Sequence, residues 1–288
     1  MDSAPLPSSD DAPATARRGR RGPGRNLGMA VASGLALAGL YVLTLFIHPL
    51  LFLTFIAVIV VVAMLELDVA FRGAGMRPAT PVAIGAGMIM LFGAYRGGPG
   101  AQALGLVLLV FGSVAWSLLD VQRPQPAANL GSTFLMTLWV PFAGSYLGLL
   151  LLRGNGEWVV LATIALAVTS DIGAYAFGSQ FGRHRMAPTV SPGKSWEGFA
   201  GALATSLVVA ALVTSRLPGF DLGLALAFGA TMCVAATAGD LAESLVKRDL
   251  GVKDLGTIVP GHGGMMDRID AITFALPSAH LLLLLLGR

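Results

Sequence analysis

Residues 222–247 read LGLALAFGATMCVAATAGDLAESLVK, an apolar run that carries Asp240, Glu243 and Lys247 near its end. A transmembrane helix needs about 20 mainly apolar residues, so this run predicts a membrane-spanning helix. An ionised carboxylate inside such a helix is costly unless it is paired, neutralised or bound to a cation. The same stretch therefore indicates both the fold class and the place where chemistry is to be expected.

Similar apolar runs recur along the chain. Its 288 residues are 55% hydrophobic and only 12% charged, against about 25% charged in an ordinary soluble domain. Cutting the sequence at charges and at Gly/Pro clusters gives nine segments: 29–47, 49–65, 80–95, 101–119, 130–152, 157–178, 197–215, 222–247 and 271–287. The pattern predicts an all-α, polytopic integral membrane bundle of about nine transmembrane helices.

The distribution of basic residues tests this count, because Lys and Arg collect in cytoplasmic loops. With nine spans and a cytoplasmic N-terminus, all but four of the 19 Lys and Arg residues fall in inner segments. The four outer ones are Arg96, Arg153, Arg216 and Arg288. A missed or extra helix would scramble this partition, so the partition favours nine spans and a cytoplasmic N-terminus.

Residues 1–28 differ from the rest of the chain. They hold Ser, Pro, Asp and Ala followed by five arginines, without apolar periodicity, and predict a disordered basic cytoplasmic tail before a transmembrane domain over 29–288. The sequence pI is about 9.3, but the net charge is only +3, and lipid headgroups and topology explain the arginines better than nucleic acid does. We expect no nucleic-acid partner. Cys233 is the only cysteine, which excludes an intrachain disulfide and a cysteine metal site.

Acidic residues bunch near the C-terminal end of the chain. Six of the 16 lie between residues 240 and 270: Asp240, Glu243, Asp249, Asp254, Asp267 and Asp270. Asp240, Ser244 and Lys247 share one helical face, and Asp267 and Asp270 are one turn apart on the next helix. Oxygen-rich clusters of this kind suit Mg²⁺ better than zinc. The alternative is a set of structural ion pairs, Asp240 with Lys247 and Asp267 with Arg268 or Lys253.

A glycine-rich loop, Pro260-Gly261-His262-Gly263-Gly264, separates the last two spans. Glycines permit positive φ and let backbone amides approach an anion, so the loop is a candidate phosphate site. A plain tight turn before the last helix explains the glycines equally well.

A second polar loop connects the sixth and seventh spans and lies on the same side by parity. Arg183, Arg185 and Lys194 are candidate phosphate ligands there, or else charges that set topology. Gly193-Lys194-Ser195 is similar to the end of a P-loop, but Pro188 occupies the required earlier glycine position, so we reject that interpretation. Ser195 is also a candidate N-cap for the seventh helix.

Two spaced motifs extend these observations. Ser244-x-x-Lys247-Arg248-x4-Lys253-Asp254, followed by Pro260-Gly261-His262-Gly263-Gly264-x-x-Asp267-Arg268-x-Asp270, resembles the signature of the phosphatidate cytidylyltransferase (CDP-diacylglycerol synthase) family. The resemblance extends to Asp171-x-Gly173-Ala174-Tyr175 and to Ser191-Pro192-x-Lys194-Ser195-Trp196-Glu197-Gly198. The chain departs from the family pattern at Gly193, where a second lysine is frequent, and at Ser195, Leu255 and Ala271.

The resemblance implies a transmembrane cytidylyltransferase domain over residues 29–288. It implies transfer of a cytidylyl group from CTP to phosphatidic acid, which yields CDP-diacylglycerol and pyrophosphate for phospholipid biosynthesis. Mg²⁺ is then required, and a monovalent cation such as K⁺ is a further candidate. The implied location is the cell (inner) membrane, with the active site facing the cytoplasm.

The resemblance also suggests roles for individual residues. The metal ligands would be Asp240, Asp267, Asp270 and Asp171. The catalytic set would be Asp240, Ser244, Lys247, Asp267 and Asp270. The substrate-binding set would be Arg183, Lys194, Ser195, Arg248, Lys253, His262, Gly263, Gly264 and Arg268. Within these sets the cations would neutralise phosphates, and Ser244 and His262 would supply hydrogen bonds.

Three other functions are weighed against this one. A transporter or channel would use Asp240 and Asp171 as ion sites, but the outer loops are short and poor in charge. A polyprenol or phytol kinase shares the basic loops and membrane carboxylates, but the Lys247 to Asp270 spacing argues against it. A lipid-binding scaffold would leave the clustered acids without a purpose. The sequence leaves open whether the chain forms a homodimer, its acyl-chain preference and the choice between CTP and dCTP.

Overall fold

The chain folds into a bundle of helices. The structure is a computed structural model that describes residues 27–119, 124–256 and 264–287, with side chains from residue 34 onward. Its helices are α1 (Leu27–Ile47), α2 (Pro49–Gly73), α3 (Thr80–Gly97), α4 (Pro99–Leu119), α5 (Pro126–Thr137), α6 (Ala143–Leu151), α7 (Gly156–Phe181), α8 (Trp196–Leu212), α9 (Leu222–Asp249) and α10 (Met266–Leu285). Each of the nine predicted apolar segments corresponds to helical structure. The predicted tail lies outside the described residues, apart from 27–28 in α1.

Most of these helices have the length and composition of membrane spans. In the described part of the chain, seven helical segments are long and apolar enough to cross a bilayer: Pro49–Gly73, Pro99–Leu119, Pro126–Leu151, Gly156–Phe181, Trp196–Arg216, Leu222–Asp249 and Met266–Leu285. Large apolar side chains such as Phe111, which is 71% exposed, face outward as lipid requires. The chain is a multi-pass membrane protein. The count of nine spans and the cytoplasmic N-terminus stay predictions.

Two helices extend past the charges at which the sequence was cut. The segment predicted to end at residue 65 continues to Gly73, because Glu66 is buried and Asp68 pairs with Arg72 one turn later, at 2.7 Å. The last helix begins at Met266 rather than at residue 271, so Asp267 and Asp270 lie in its first two turns. Charged residues do not end these helices, since each has a partner.

The segment predicted over 130–152 is not one regular helix. A π-helical turn, Leu138–Phe142, separates α5 from α6 and contains Pro141. Proline lacks the amide that a regular helix needs at that position, and a wider turn accommodates it. Trp139 in this turn donates from Nε1 to Thr273 Oγ1 at 3.1 Å, which ties the turn to α10.

A short β-hairpin between α7 and α8 was not predicted. Its strands, β1 (Arg185–Ala187) and β2 (Ser191–Ser195), pair antiparallel. Ser195 is the N-cap of α8 and accepts a hydrogen bond from the Gly198 amide at 3.2 Å, which confirms the predicted cap. Lys194 thus lies on a strand that leads directly into a helix.

Helices α9 and α10 approach each other closely at Gly239. A Cβ atom there would lie 2.5 Å from the Asp270 carbonyl oxygen and 3.1 Å from Ala271 Cα, closer than packed atoms come. Only glycine permits this contact. It brings Asp240, the next residue on α9, to the first turns of α10.

Candidate active site

A polar cavity of about 790 Å³ lies where the end of α7, the hairpin, the start of α8, the end of α9 and the start of α10 meet. A volume of this size is in the range of pockets that hold a ligand as large as a nucleotide. Its charged lining residues are Asp171, Arg185, Lys194, Asp240, Glu243, Lys247, Asp254, Asp267, Arg268 and Asp270. Both polar regions singled out from the sequence therefore contribute to one cavity.

Three carboxylates form the centre of the cavity wall. One oxygen from each of Asp240, Glu243 and Asp270 lies within 4.8 Å of the others, and we call these residues the carboxylate trio. Glu243 is 3% exposed, and its Oε1 has no hydrogen-bond partner within the described residues. A buried carboxylate oxygen without a donor is costly, and a cluster of three carboxylates suits a hard cation. The trio therefore has the chemistry of a metal-ion site.

Two lysines pair with acids around the cavity. Lys194 Nζ lies 2.7 Å from Asp240 Oδ2 and donates to the Thr237 carbonyl at 3.3 Å. The pairing considered from the sequence, Asp240 with Lys247, is not the one that forms. Lys194 instead connects the hairpin to α9.

Lys247 bridges two helices. Its Nζ lies 2.8 Å from Glu243 Oε2 on its own helix and 2.5 Å from Asp267 Oδ1 on α10. Asp267 also accepts a hydrogen bond from the Gly264 amide at 2.9 Å. The two lysines therefore pair with three of the buried or half-buried acids around the cavity.

The structure distributes the predicted metal ligands over two places. Asp240 and Asp270 belong to the carboxylate trio. Asp171, on α7, and Asp267 line the same cavity but are not part of the trio. Glu243 was counted among the clustered acids and was given no role. Its position three residues after Asp240 on one helix was the available signal, because residues so spaced share a helical face.

The predicted substrate ligands also separate. Lys194, Ser195 and Arg268 line the cavity, and so does Arg185, which the sequence suggested only as a candidate phosphate ligand. Among the described residues, three predicted cations do not line it, and all three are exposed: Arg183, Arg248 and Lys253. Arg248 instead donates from Nε to the Val190 carbonyl at 3.2 Å, which connects α9 to the tip of the hairpin.

The remaining predicted residues are Ser244 and the glycine-rich loop. Ser244 is half-buried on α9 and is not among the described residues that line the cavity. Gly264 is buried, with its amide on Asp267. His262 and Gly263 lie outside the described residues.

Glu197 holds the base of the hairpin. Its carboxylate accepts hydrogen bonds from the backbone amides of Arg183 and His184, at 3.0 and 3.1 Å, and lies 2.5 Å from His184 Nδ1. The first turn of α8 thereby fixes the strand pair that carries Arg185 and Lys194 into the cavity. No role had been assigned to Glu197 from the sequence.

Fold and cavity together define a class: a membrane-embedded protein whose helix ends enclose a carboxylate-rich and lysine-rich pocket suited to a metal ion and to phosphate groups. The chain belongs to the cytidylyltransferase family, whose model matches residues 29–286. The family resemblance drawn from the motifs is thereby confirmed.

Individual relatives agree with this assignment. The chain is 35% identical to a phosphatidate cytidylyltransferase of Mycobacterium bovis over 269 residues, which cover 89% of this chain and 87% of the relative. It is 37% identical to the phosphatidate cytidylyltransferase of Haemophilus influenzae over 193 residues, 60% of this chain and 67% of the relative. The corresponding protein of Staphylococcus aureus is 33% identical over 205 residues, 69% of this chain and 76% of the relative.

Proposed function

We propose that this chain transfers a cytidylyl group from CTP to phosphatidic acid, forming CDP-diacylglycerol and pyrophosphate. The observation that carries the proposal is the cavity itself. Its carboxylate trio stands beside Lys194 and Lys247 in a chain of the cytidylyltransferase family. These groups meet the requirements of a reaction between two anions that repel each other.

The reaction needs positioning and charge neutralisation more than proton transfer. A lipid phosphate oxygen attacks the α-phosphorus of CTP, a new P–O bond forms, and the bond to the departing pyrophosphate breaks. A phosphate monoester is already largely ionised at neutral pH, so the attack needs no strong general base. Arg185, Lys194 and Arg268 line the cavity as cations that can hold phosphate oxygens in line.

Asp240, Glu243 and Asp270 would hold Mg²⁺ in this proposal, with K⁺ as a further candidate cation in the same cavity. A bound Mg²⁺ supplies charge neutralisation on phosphate oxygens. Asp267, predicted from the sequence as a ligand, is assigned here to Lys247, whose ammonium group it holds at 2.5 Å. Asp171 lines the same cavity from α7, where its carboxylate would add negative charge near that ion.

We further propose that the nine spans lie in the inner membrane of the cell and that the cavity faces the cytoplasm, with the residues before α1 as a cytoplasmic tail. The partition of basic residues supports this orientation, and CTP is a cytosolic substrate. Tyr175 lines the cavity and is 80% exposed, so the cavity reaches the surface of the bundle. This opening offers a lateral entrance for phosphatidic acid. A homodimer is compatible with this arrangement.

The proposed function is tested with the purified full chain in detergent or vesicles. CTP, phosphatidic acid and Mg²⁺ are supplied, and CDP-diacylglycerol and pyrophosphate are measured. We expect equal amounts of both products and none when diacylglycerol replaces phosphatidic acid. Folded protein that forms neither product contradicts the proposal. Formation of CDP with a polyprenol or phytol acceptor would identify a kinase instead.

Lys194→Met is expected to lower kcat/KM for CTP about 10- to 150-fold, the loss that follows from about 1.5–3 kcal/mol of charge-assisted hydrogen bonding. Lys194 lines the cavity and lies 2.7 Å from Asp240. Lys253→Met is the matched control, because Lys253 is exposed and is not among the described lining residues. We expect the control to change kcat/KM by less than about threefold. Equal losses in both variants would contradict the assignment of Lys194.

A further inference from the structure

Glu66 is a buried acid that the proposed reaction does not use. It lies on α2, far from the cavity residues in sequence, and is 3% exposed. Its Oε2 accepts a hydrogen bond from the Met266 amide at 3.0 Å. Its Oε1 is also buried and has no hydrogen-bond partner within the described ranges. A carboxylate kept under these conditions is costly to bury, which indicates that it is retained for a purpose.

The contact replaces a missing helix cap. The first amides of a helix have no partner inside the helix and usually bond to a side chain just before it. The N-cap position of α10, Met265, supplies no such side-chain bond. Glu66 from α2 satisfies the first amide of α10 in its place, and its negative charge also suits the positive end of the helix dipole.

Two glycines make room for this carboxylate. A Cβ atom at Gly264 would lie 2.8 Å from Glu66 Oε2 and 2.7 Å from Asp267 Oδ2, and a Cβ at Gly256 would overlap the carboxyl group of Glu66. Gly256, Gly264 and the start of α10 thus close around a single side chain. Asp267 follows Met266 directly, and Asp270 of the carboxylate trio lies one turn further.

We propose that Glu66 is a positioning residue, which fixes the first turns of α10, and with them Asp267 and Asp270, by accepting the Met266 amide. The proposal rests on the proposed function for its kinetic consequences. Its structural part concerns the geometry of the trio alone. Because the hydrogen bond from the Met266 amide is what positions α10, an amide side chain that keeps an acceptor oxygen is expected to replace the carboxylate. A side chain of similar size without an acceptor is expected to fail.

The test compares Glu66→Gln with Glu66→Met, which have similar volumes and differ in the acceptor, and adds Glu66→Ala as a smaller variant without an acceptor. Asp68→Asn is the control on the same helix, since Asp68 pairs with Arg72 and Thr80 away from α10. Mn²⁺ binding to the detergent-solubilised full chain is measured by electron paramagnetic resonance. The Mg²⁺ concentration for half-maximal turnover, kcat and thermal unfolding are measured on the same preparations.

We expect Glu66→Met and Glu66→Ala to weaken Mn²⁺ binding at least tenfold and to raise the half-saturating Mg²⁺ concentration by a similar factor. Glu66→Gln and Asp68→Asn are expected to stay within threefold of the unsubstituted chain. Equal Mn²⁺ binding by Glu66→Met and Glu66→Gln overturns the proposal, whether both bind as tightly as the unsubstituted chain or both bind weakly. If Glu66→Gln folds but Glu66→Met and Glu66→Ala do not, the hydrogen bond to the Met266 amide is needed for folding of the whole chain. That result contradicts a role limited to positioning α10.

The binding measurement also separates this proposal from the proposed function. An unsubstituted chain that forms no CDP-diacylglycerol, but whose Mn²⁺ affinity depends on the acceptor at residue 66 as described, contradicts the proposed function and supports the positioning role. In the opposite case, the unsubstituted chain forms CDP-diacylglycerol while all Glu66 variants keep its Mn²⁺ affinity and Mg²⁺ dependence. That result supports the proposed function and contradicts the positioning role.

Discussion

Asp270→Asn is expected to lower cytidylyl transfer by about 10²- to 10³-fold, the loss typical when one electrostatic element of a transition-state site is removed. Asp270 contributes one oxygen to the carboxylate trio from the first turns of α10. The amide keeps the size of the side chain and removes its charge, so the helix bundle is expected to persist. Turnover is measured at several Mg²⁺ concentrations, and the variant should require more Mg²⁺ for half-maximal rate.

Asp249→Asn is the matched control for this prediction. Asp249 ends α9, is exposed, and does not belong to the described residues that line the cavity. We expect its turnover to match that of the unsubstituted chain within about twofold, because exposed charges away from a site contribute little. Removal of Mg²⁺ with a chelator should abolish turnover in Asp249→Asn and in the unsubstituted chain. An Asp270→Asn variant with full turnover and unchanged Mg²⁺ dependence would remove Asp270 from the metal site.

Lys247→Met is expected to cause the largest loss of stability, about 3–5 kcal/mol in the free energy of unfolding, because it leaves buried carboxylates without their cation. Glu243 and Asp267 both contact Lys247 Nζ, and their side chains are only 3% and 8% exposed. Methionine keeps most of the side-chain volume, so the loss reports charge rather than packing. Denaturant unfolding in mild detergent, followed by circular dichroism, measures the change.

Arg248→Met is the control. Arg248 is the next residue along α9, is exposed, and donates from Nε to the Val190 carbonyl rather than to a buried acid. We expect it to change stability by less than about 1 kcal/mol. The double variant Lys247→Met/Asp267→Asn should recover part of the loss, since it removes one of the unpaired charges. A double variant less stable than Lys247→Met alone would contradict the view that uncompensated charge is the cause.

Apolar run length predicted the helices well, because a bilayer leaves few alternatives to a helix for a long apolar segment. The boundaries were wrong where charge was taken as an end. Glu66 lies inside α2 and Asp267 inside α10, and both have partners on other elements. The hairpin of β1 and β2 was missed because two strands of three and five residues carry too little pattern to stand out.

Motif spacing predicted several residues that meet in the cavity, including Asp270, Lys194 and Lys247, and the place of Asp240 inside an apolar helix predicted that acid. It did not predict which carboxylate pairs with which lysine, since Lys194 and Asp240 are 46 positions apart and meet only through packing. Glu66 was not predicted either, because it lies outside every motif and meets α10 only through packing. A contact between the second and the last helix has no local signature in the sequence.

The Lys247–Glu243 pair has a consequence for biosynthesis. Its two partners are one turn apart on α9, so the pair needs no other helix in order to form. A membrane insertion machinery receives α9 before α10 has been made, and at that moment an unpaired Glu243 would resist transfer into lipid. With Lys247 beside Glu243, that turn of α9 would carry almost no net charge when the helix enters the bilayer. Asp267 then arrives on α10 to a lysine that is already in place.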